Sequence, residues 1–182
     1  LNQHYLINSI SEDQLWPSIQ KWGFNESFMK KLMPLCHSRI KTFGEFIELC
    51  GFLFVNHLPL NKELLCPKGK SEELSCALIQ SFIWYLEQDD DWSRDNLFNA
   101  SKAIAELFGV NHKKIIIPIL YASLTGKHTG PPLFDSATLL GKDRTRARLL
   151  KAMEHLGGLS NKKMQLLSKC WENKDFQKFT NP

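Results

Sequence analysis

The strongest constraint on the fold is the spacing of apolar residues, which recur every three or four positions in segments bounded by glycine, proline or short polar residues. Residues 72–87 give the clearest case, with Leu74, Leu78, Phe82 and Leu86 on one stripe. This period is typical of an α-helix with one face in a core, whereas strands alternate at every second position. We therefore expect an all-α chain.

Capping residues set the limits of the other helices. Ser11, Asn25 and Ser93 stand where a side-chain oxygen accepts a first-turn N–H, and glycines such as Gly109 and Gly141 end helices. With these signals we predict helices near residues 11–22, 25–35, 43–54, 72–87, 93–107, 116–125, 133–140, 143–156 and 162–171.

Two of these helices carry specific expectations about their core faces. For the third helix we expect a wide buried face, made of Phe43, Phe46, Ile47, Leu49, Cys50, Leu53 and Phe54. For the helix that starts near Asp143 we expect a core face made of Ala147, Leu150, Met153 and Leu156.

The segment around Pro118 allows two structures. Three β-branched residues at 115–117 favour a short buried strand. A helix that begins near Ile116 would instead place Pro118 in its first turn, where a missing N–H costs nothing. We predict the helix, because no partner strand is evident.

Length and composition suit either one domain or two small helical lobes. The 182 residues are 43% hydrophobic, which is enough for a buried core. Pro59 and Pro67 lie in a stretch, residues 55–70, that has the character of a connection. We therefore divide the chain into a first lobe, residues 1–68, and a second lobe, residues 69–182.

Composition also indicates a cytoplasmic protein. The longest uncharged apolar run, residues 115–124, contains Pro118 and is far shorter than the roughly 20 residues that span a bilayer. Five cysteines without a Cys-x-x-Cys pair indicate a reduced compartment, and we expect Cys36, Cys50 and Cys76 to be buried. The first residue is Leu1 and no secretory signal follows it, so we expect a piece of a longer chain.

Motifs of an independent active site are missing. Gly69-Lys70-Ser71 has Leu64 at the place where a P-loop requires glycine. The six His are scattered without zinc-binding spacing, and no serine sits in a Gly-x-Ser-x-Gly elbow. We expect no catalytic residue, cofactor or metal in this chain.

Residues 121–149 carry the most informative pattern. A helix end, a Pro-containing loop and a basic helix follow one another, with the motifs Leu124-Thr125-Gly126, Pro131-Pro132, Leu133-Phe134, Leu140-Gly141-Lys142 and Arg148-Leu149. This series resembles the C-terminal signature of bacterial glutamyl-tRNA synthetases. Residues 1–6 and 36–43 resemble two further family motifs in the same order, so the resemblance spans about residues 1–156.

The resemblance implies a fold and a partner. The fold is a two-lobed, all-α cage of a class I aminoacyl-tRNA synthetase, and the partner is the anticodon loop of tRNA(Glu). The class I motifs His-Ile-Gly-His and Lys-Met-Ser-Lys-Ser are missing, because in this family they lie on an upstream catalytic domain. The resemblance further implies a monomer whose catalytic and stem-contact domains belong to the same parent chain and use ATP and Mg²⁺ to attach glutamate.

The resemblance also implies individual roles. Arg39 matches the position that reads the last anticodon base, a cytosine, and a planar guanidinium suits that base's acceptor edge. Pro131 and Leu133 match positions that pack on anticodon bases. Gly130 replaces the Thr of some relatives, and Tyr121 replaces an Arg, so it offers a ring for stacking but no cation.

The spacing of basic residues predicts a further set of binding residues. Arg144, Arg148 and Lys151 are four and three residues apart, which places them on one helical face suited to phosphates. We expect this helix, Arg39 and the loop at residues 126–132 to converge on one groove. The alternative is a helical protein-interaction or structural module without RNA recognition.

Overall fold

The computed structural model describes residues 25–88 and 90–176, and within these ranges every regular element is helical, as predicted. The α-helices are α1 (Glu26–Cys36), α2 (Phe43–Cys50), α3 (Lys62–Leu65), α4 (Glu72–Glu87), α5 (Arg94–Leu107), α6 (Ile117–Thr125), α7 (Leu133–Leu140), α8 (Lys142–His155) and α9 (Asn161–Asn173). Short 3₁₀ turns cover His37–Arg39 and Gly51–Leu53, and a π-helical turn covers His112–Ile116. The helix predicted at residues 11–22 lies outside the described residues.

Side-chain caps begin the helices at the predicted places. Asn25 Oδ1 accepts the N–H of Phe28 at 3.0 Å, and Ser93 Oγ accepts that of Asn96 at 3.2 Å. Each cap satisfies one of the N–H groups that a helix start leaves without an intrahelical partner. These local bonds explain why the helix starts were predictable.

The segment around Pro118 is helical, so the strand alternative is wrong. Asn111 Oδ1 accepts the N–H of Lys114 at 2.9 Å and begins the π-helical turn, which continues directly into α6. Pro118 stands in the first turn of α6, a position at which helices tolerate proline.

The helices pack around one buried apolar cluster that extends from Leu32 to Phe176. α8 packs against α4 and α6, while α5 packs against α4 and α7. α3 lies against α6, and α1 lies against α7, so an element from the first third of the chain contacts one from the last third. The division into lobes at residues 68 and 69 stays a prediction.

The core face expected for the third helix is wrong for three of its residues. Phe43 is 97% exposed, Ile47 is 65% exposed and Phe54 is 40% exposed, whereas Cys50 and Leu53 are buried. α2 has only two turns. Phe46 and Leu49 pack partly against the core, and full burial is reached only at Cys50 and in the following 3₁₀ turn. Apolar spacing alone could not show that the N-terminal turn of α2 lies outside the core.

The expected core face of α8 is also partly wrong. Met153 is buried, but Ala147 is exposed and Leu150 is 36% exposed. The helix is rotated so that Thr145 and Leu149 face the core instead. This rotation brings a cationic side chain of α8 inside, and the bonds that satisfy it are described below.

The cysteine prediction is confirmed, because Cys36, Cys50 and Cys76 are fully buried. Burial raises the pKa of the Cys50 thiol to about 12 and that of the Cys76 thiol to about 11. Both side chains therefore act as small apolar groups at neutral pH. Among the described residues, no helix has the length and apolar character needed to span a membrane.

The loop after α6 depends on Gly126, which ends that helix with a φ of 72°. A Cβ at this position would lie 3.3 Å from the carbonyl oxygen of Pro59. Gly109 has a φ of 60°, yet a Cβ there would meet no atom within 4 Å. Alanine substitution at Gly109 therefore tests the cost of left-handed backbone alone, and the same substitution at Gly126 adds the cost of a close contact.

We expect Gly109→Ala to lower the free energy of unfolding by about 1 kcal/mol, the cost of left-handed backbone for alanine. Gly126→Ala should cost about 2 to 3 kcal/mol, because the added methyl group must also displace the Pro59 backbone. Urea unfolding followed by circular dichroism measures both values. Equal losses in the two variants would show that the Pro59 contact has no energetic weight.

Candidate nucleic-acid interface

Arg39 lies against the loop between α6 and α7. It ends the 3₁₀ turn that follows α1, and its Nη1 atom donates to the Gly130 carbonyl oxygen at 3.5 Å, across 91 residues of sequence. This bond is long, and the arginine remains exposed. Because a guanidinium carries five N–H donors, most of them stay available to a bound molecule.

Tyr121 fixes the same loop from inside. Its hydroxyl donates to the Pro131 carbonyl oxygen at 2.8 Å, and its ring is half-buried on α6. Burial raises the pKa of Tyr121, and the nearby positive charge of Arg39 opposes that rise. Arg39, Tyr121, Gly130 and Pro131 are thus neighbours, as the resemblance implies.

The apolar members of the predicted site are buried. Leu133 is 6% exposed and Phe134 is 8% exposed at the start of α7, and Pro131 is buried beside them. Leu133, together with Phe134, which was not part of the predicted site, belongs to the buried core and anchors the end of the loop there. The proposed contact of Pro131 and Leu133 with bases stays a prediction.

An open cavity of about 450 Å³ lies where Arg39 meets the loop. We call it the Arg39 cavity. Residues from the Arg39 turn, from α2 and from the loop line it, namely Arg39, Ile40, Glu45, Glu48, Leu49, Lys127, Thr129 and Gly130. Its volume falls in the range of about 300 to 1,000 Å³ that is usual for small-molecule sites.

Two bonds hold the walls of the Arg39 cavity in place. Lys127 Nζ donates to the Glu48 carbonyl oxygen and so ties the loop to α2. Glu45 Oε2 accepts the N–H of Lys41 at 2.7 Å and closes the turn between Arg39 and α2. The cavity therefore combines cations, carboxylates and apolar surface within a small space.

The α2 wall of the Arg39 cavity was not predicted from the sequence. Glu45 and Glu48 have no motif or spacing that distinguishes them from other surface charges. Their place beside a loop about 80 residues further along the chain reveals them. Among residues 25–88 and 90–176, no group of three His, Cys, Asp or Glu side chains could hold a metal ion.

Arg148 is the buried cation of α8, and this position corrects its predicted contact with phosphates. It is 5% exposed, and its guanidinium donates to the carbonyl oxygens of Leu124 at 2.6 Å, Phe52 at 2.6 Å and Val55 at 2.8 Å. Burial lowers the pKa of Arg148 to about 10, so the side chain stays charged at neutral pH. We call this set of bonds the Arg148 clamp.

The other two cations of the predicted face are exposed. Arg144 Nη2 donates to the Val55 carbonyl oxygen at 3.3 Å, and Lys151 Nζ lies 3.3 Å from His57 Nδ1. Lys151 borders a second cavity, of about 110 Å³. Neither cation lines the Arg39 cavity, so the expected single groove includes the loop and Arg39 but not the basic helix.

The chain belongs to the anticodon-binding domain family, whose model matches residues 8–153. It is also similar to individual glutamate–tRNA ligases. It is 59% identical over 177 residues to the glutamate–tRNA ligase of Protochlamydia amoebophila, a match that covers 97% of this chain and 35% of that enzyme. Identity is 42% over 180 residues to the enzyme of Chlamydia felis, covering 99% of this chain and 36% of that enzyme. The chain thus spans about a third of the length of these relatives.

We expect Arg148→Met to lower the free energy of unfolding by about 3 kcal/mol. Methionine keeps much of the apolar volume but leaves the buried carbonyl oxygens of Phe52 and Leu124 without their donor. Urea unfolding monitored by circular dichroism measures the loss.

Arg146→Met on the same helix is the matched control. Arg146 pairs with Glu87 at 2.8 Å on the surface, where an ion pair contributes less than about 1 kcal/mol. A clamp variant as stable as this control would show that the carbonyl bonds add nothing to folding.

Proposed function

We propose that this chain binds the anticodon loop of tRNA(Glu) as the C-terminal anticodon-binding portion of a glutamate–tRNA ligase. The observation that carries the proposal is the meeting of Arg39 with the loop at Gly130, two residues that match separate family motifs. They stand 91 residues apart in sequence, yet both line one open cavity.

The chemistry of the Arg39 cavity suits an unpaired base. Bases in RNA loops are splayed out and recognised by hydrogen bonds to their edges and by stacking on side chains. Arg39 supplies rigid donors for the O2 and N3 acceptors of cytosine, and the ring of Tyr121 lies beside the same loop. The last anticodon base of tRNA(Glu), a cytosine, is the proposed occupant.

Arg144 and Lys151 are the proposed phosphate contacts. Both are exposed, and both lie on the α8 surface beside residues 55–57. Phosphate contacts position an RNA without reading its sequence, and they make affinity fall as salt increases. Arg148 has no part in this role, because the clamp uses its donors inside the protein.

The rest of the proposed enzyme lies outside this chain. Its catalytic domain would attach glutamate to tRNA(Glu) with ATP and Mg²⁺, and its stem-contact domain would hold the body of the tRNA. These domains would be intramolecular partners of the two helical lobes, residues 1–68 and 69–182. We propose a cytoplasmic monomer.

One observation favours a second candidate function, that of a protein-interaction module. Phe43 and Ile47 form an exposed apolar pair on one face of α2. Exposed apolar side chains of this size are typical of contact surfaces. Binding of a protein by the nuclease-treated chain, lost in the variant Phe43→Ser with Ile47→Ser, would support this candidate.

We expect Arg39→Gln to weaken binding of an RNA stem-loop with the tRNA(Glu) anticodon by about tenfold, because a charged donor to the base is lost. Preference for cytosine over guanine at the last anticodon base should fall in parallel. Fluorescence anisotropy with a labelled stem-loop measures both effects, and Arg146→Gln is the charge-matched control.

Two results would contradict the proposal. One is equal affinity of the unmodified chain for stem-loops that differ in the anticodon. The other is affinity that does not change between low and moderate salt, because RNA binding through phosphates releases counterions.

A further inference from the structure

The charges around the Arg39 cavity are not those of a phosphate site. Arg39 and Lys127 supply positive charge, but Glu45 and Glu48 supply two carboxylates to the same cavity. A phosphate needs donors from every side, and nearby carboxylates repel it. A neutral ring with donors on one part of its edge and acceptors on another part fits this mixed lining better.

The two carboxylates differ in how they are engaged. Glu45 accepts the N–H of Lys41 and so belongs to the turn that carries Arg39. Glu48 is exposed on α2, and within the described ranges no ion pair or side-chain hydrogen bond involves its carboxylate. Its backbone, however, is held by Lys127, which fixes the position of Glu48 relative to the loop.

We propose that Glu48 is a specificity-determining residue whose carboxylate accepts a hydrogen bond from the exocyclic amino group of a cytosine held in the Arg39 cavity. This inference rests on the proposed function, because it assigns the chemistry of that same site. Ile40 and Leu49, which also line the cavity, supply apolar surface for the ring.

Arg39 and Glu48 then bond to different atoms of the Watson–Crick edge of the base. Cytosine presents the acceptors O2 and N3 and the donor N4–H₂ along this edge, so it needs protein donors followed by a protein acceptor. Uracil carries O4 in place of the amino group and would set one oxygen against another. Arg39 alone cannot reject uracil at that position, because it contributes no acceptor.

The test uses the full chain and stem-loops that carry the tRNA(Glu) anticodon with one of three last bases. These are cytosine, uracil and pyrimidin-2-one, which keeps the cytosine acceptors but has no amino group. We expect the unmodified chain to bind the cytosine form about tenfold more tightly than the pyrimidin-2-one form, the effect of one hydrogen bond to a charged group. It should bind the uracil form more weakly still.

Glu48→Gln should change specificity rather than remove binding. The amide can donate to O4, so the preference for cytosine over uracil should fall by about tenfold. Glu48→Ala has no acceptor, so this second variant should bind the cytosine and pyrimidin-2-one forms about equally, because deleting either partner of one bond makes deletion of the other ineffective. Glu106→Gln, at an exposed position of α5, is the control and should leave all three affinities unchanged.

The outcomes separate this inference from the proposed function. If the unmodified chain does not distinguish anticodons at all, the proposed function fails. If it prefers cytosine, Glu48→Gln keeps the full preference over uracil and Glu48→Ala keeps the full preference over pyrimidin-2-one, only the role of Glu48 is overturned. Equal circular dichroism spectra and unfolding midpoints for the two Glu48 variants and the Glu106→Gln control exclude misfolding as the cause of a difference.

Discussion

The Arg148 clamp is the interaction on which the rest of the structure depends. The Arg148 guanidinium donates hydrogen bonds to the carbonyl oxygens of Phe52, Val55 and Leu124. Phe52 and Val55 lie near the end of the 3₁₀ turn after α2, and Leu124 lies near the end of α6. Helix ends leave such carbonyls without intrahelical donors and carry partial negative charge. One buried cation thereby satisfies the polar groups of two helix ends and joins both to α8.

The clamp also sets the geometry of the Arg39 cavity. The 3₁₀ turn lies at one end of α2 and Arg39 lies just before the other end, while Leu124 is followed directly by the loop that contains Gly130. Fixing the two clamped helix ends to α8 therefore fixes α2 relative to the loop. Lys127 adds a second bond between the same two elements, so the cavity walls, which come from distant parts of the sequence, are joined directly.

The features that could be predicted from the sequence are those set by interactions between residues close together in the chain. Helix limits were predictable because capping residues such as Asn25 and Gly126 bond to residues at most four positions away. The inward rotation of α8 was not predictable, since the carbonyl partners of Arg148 lie 24 to 96 residues away. The contact of Arg39 with the loop was expected only through the resemblance, and Glu48 carries no local signal at all.

The shared lining of the Arg39 cavity has a thermodynamic consequence. A molecule bound there touches both α2 and the loop after α6, so it acts as a reversible crosslink between segments about 80 residues apart in sequence. Any ligand that binds only the folded chain shifts the equilibrium towards the folded state, by an amount that grows with the ratio of ligand concentration to Kd. Ligand binding and the stability of the folded chain are thus coupled, and the free energy of unfolding is highest when the cavity is occupied.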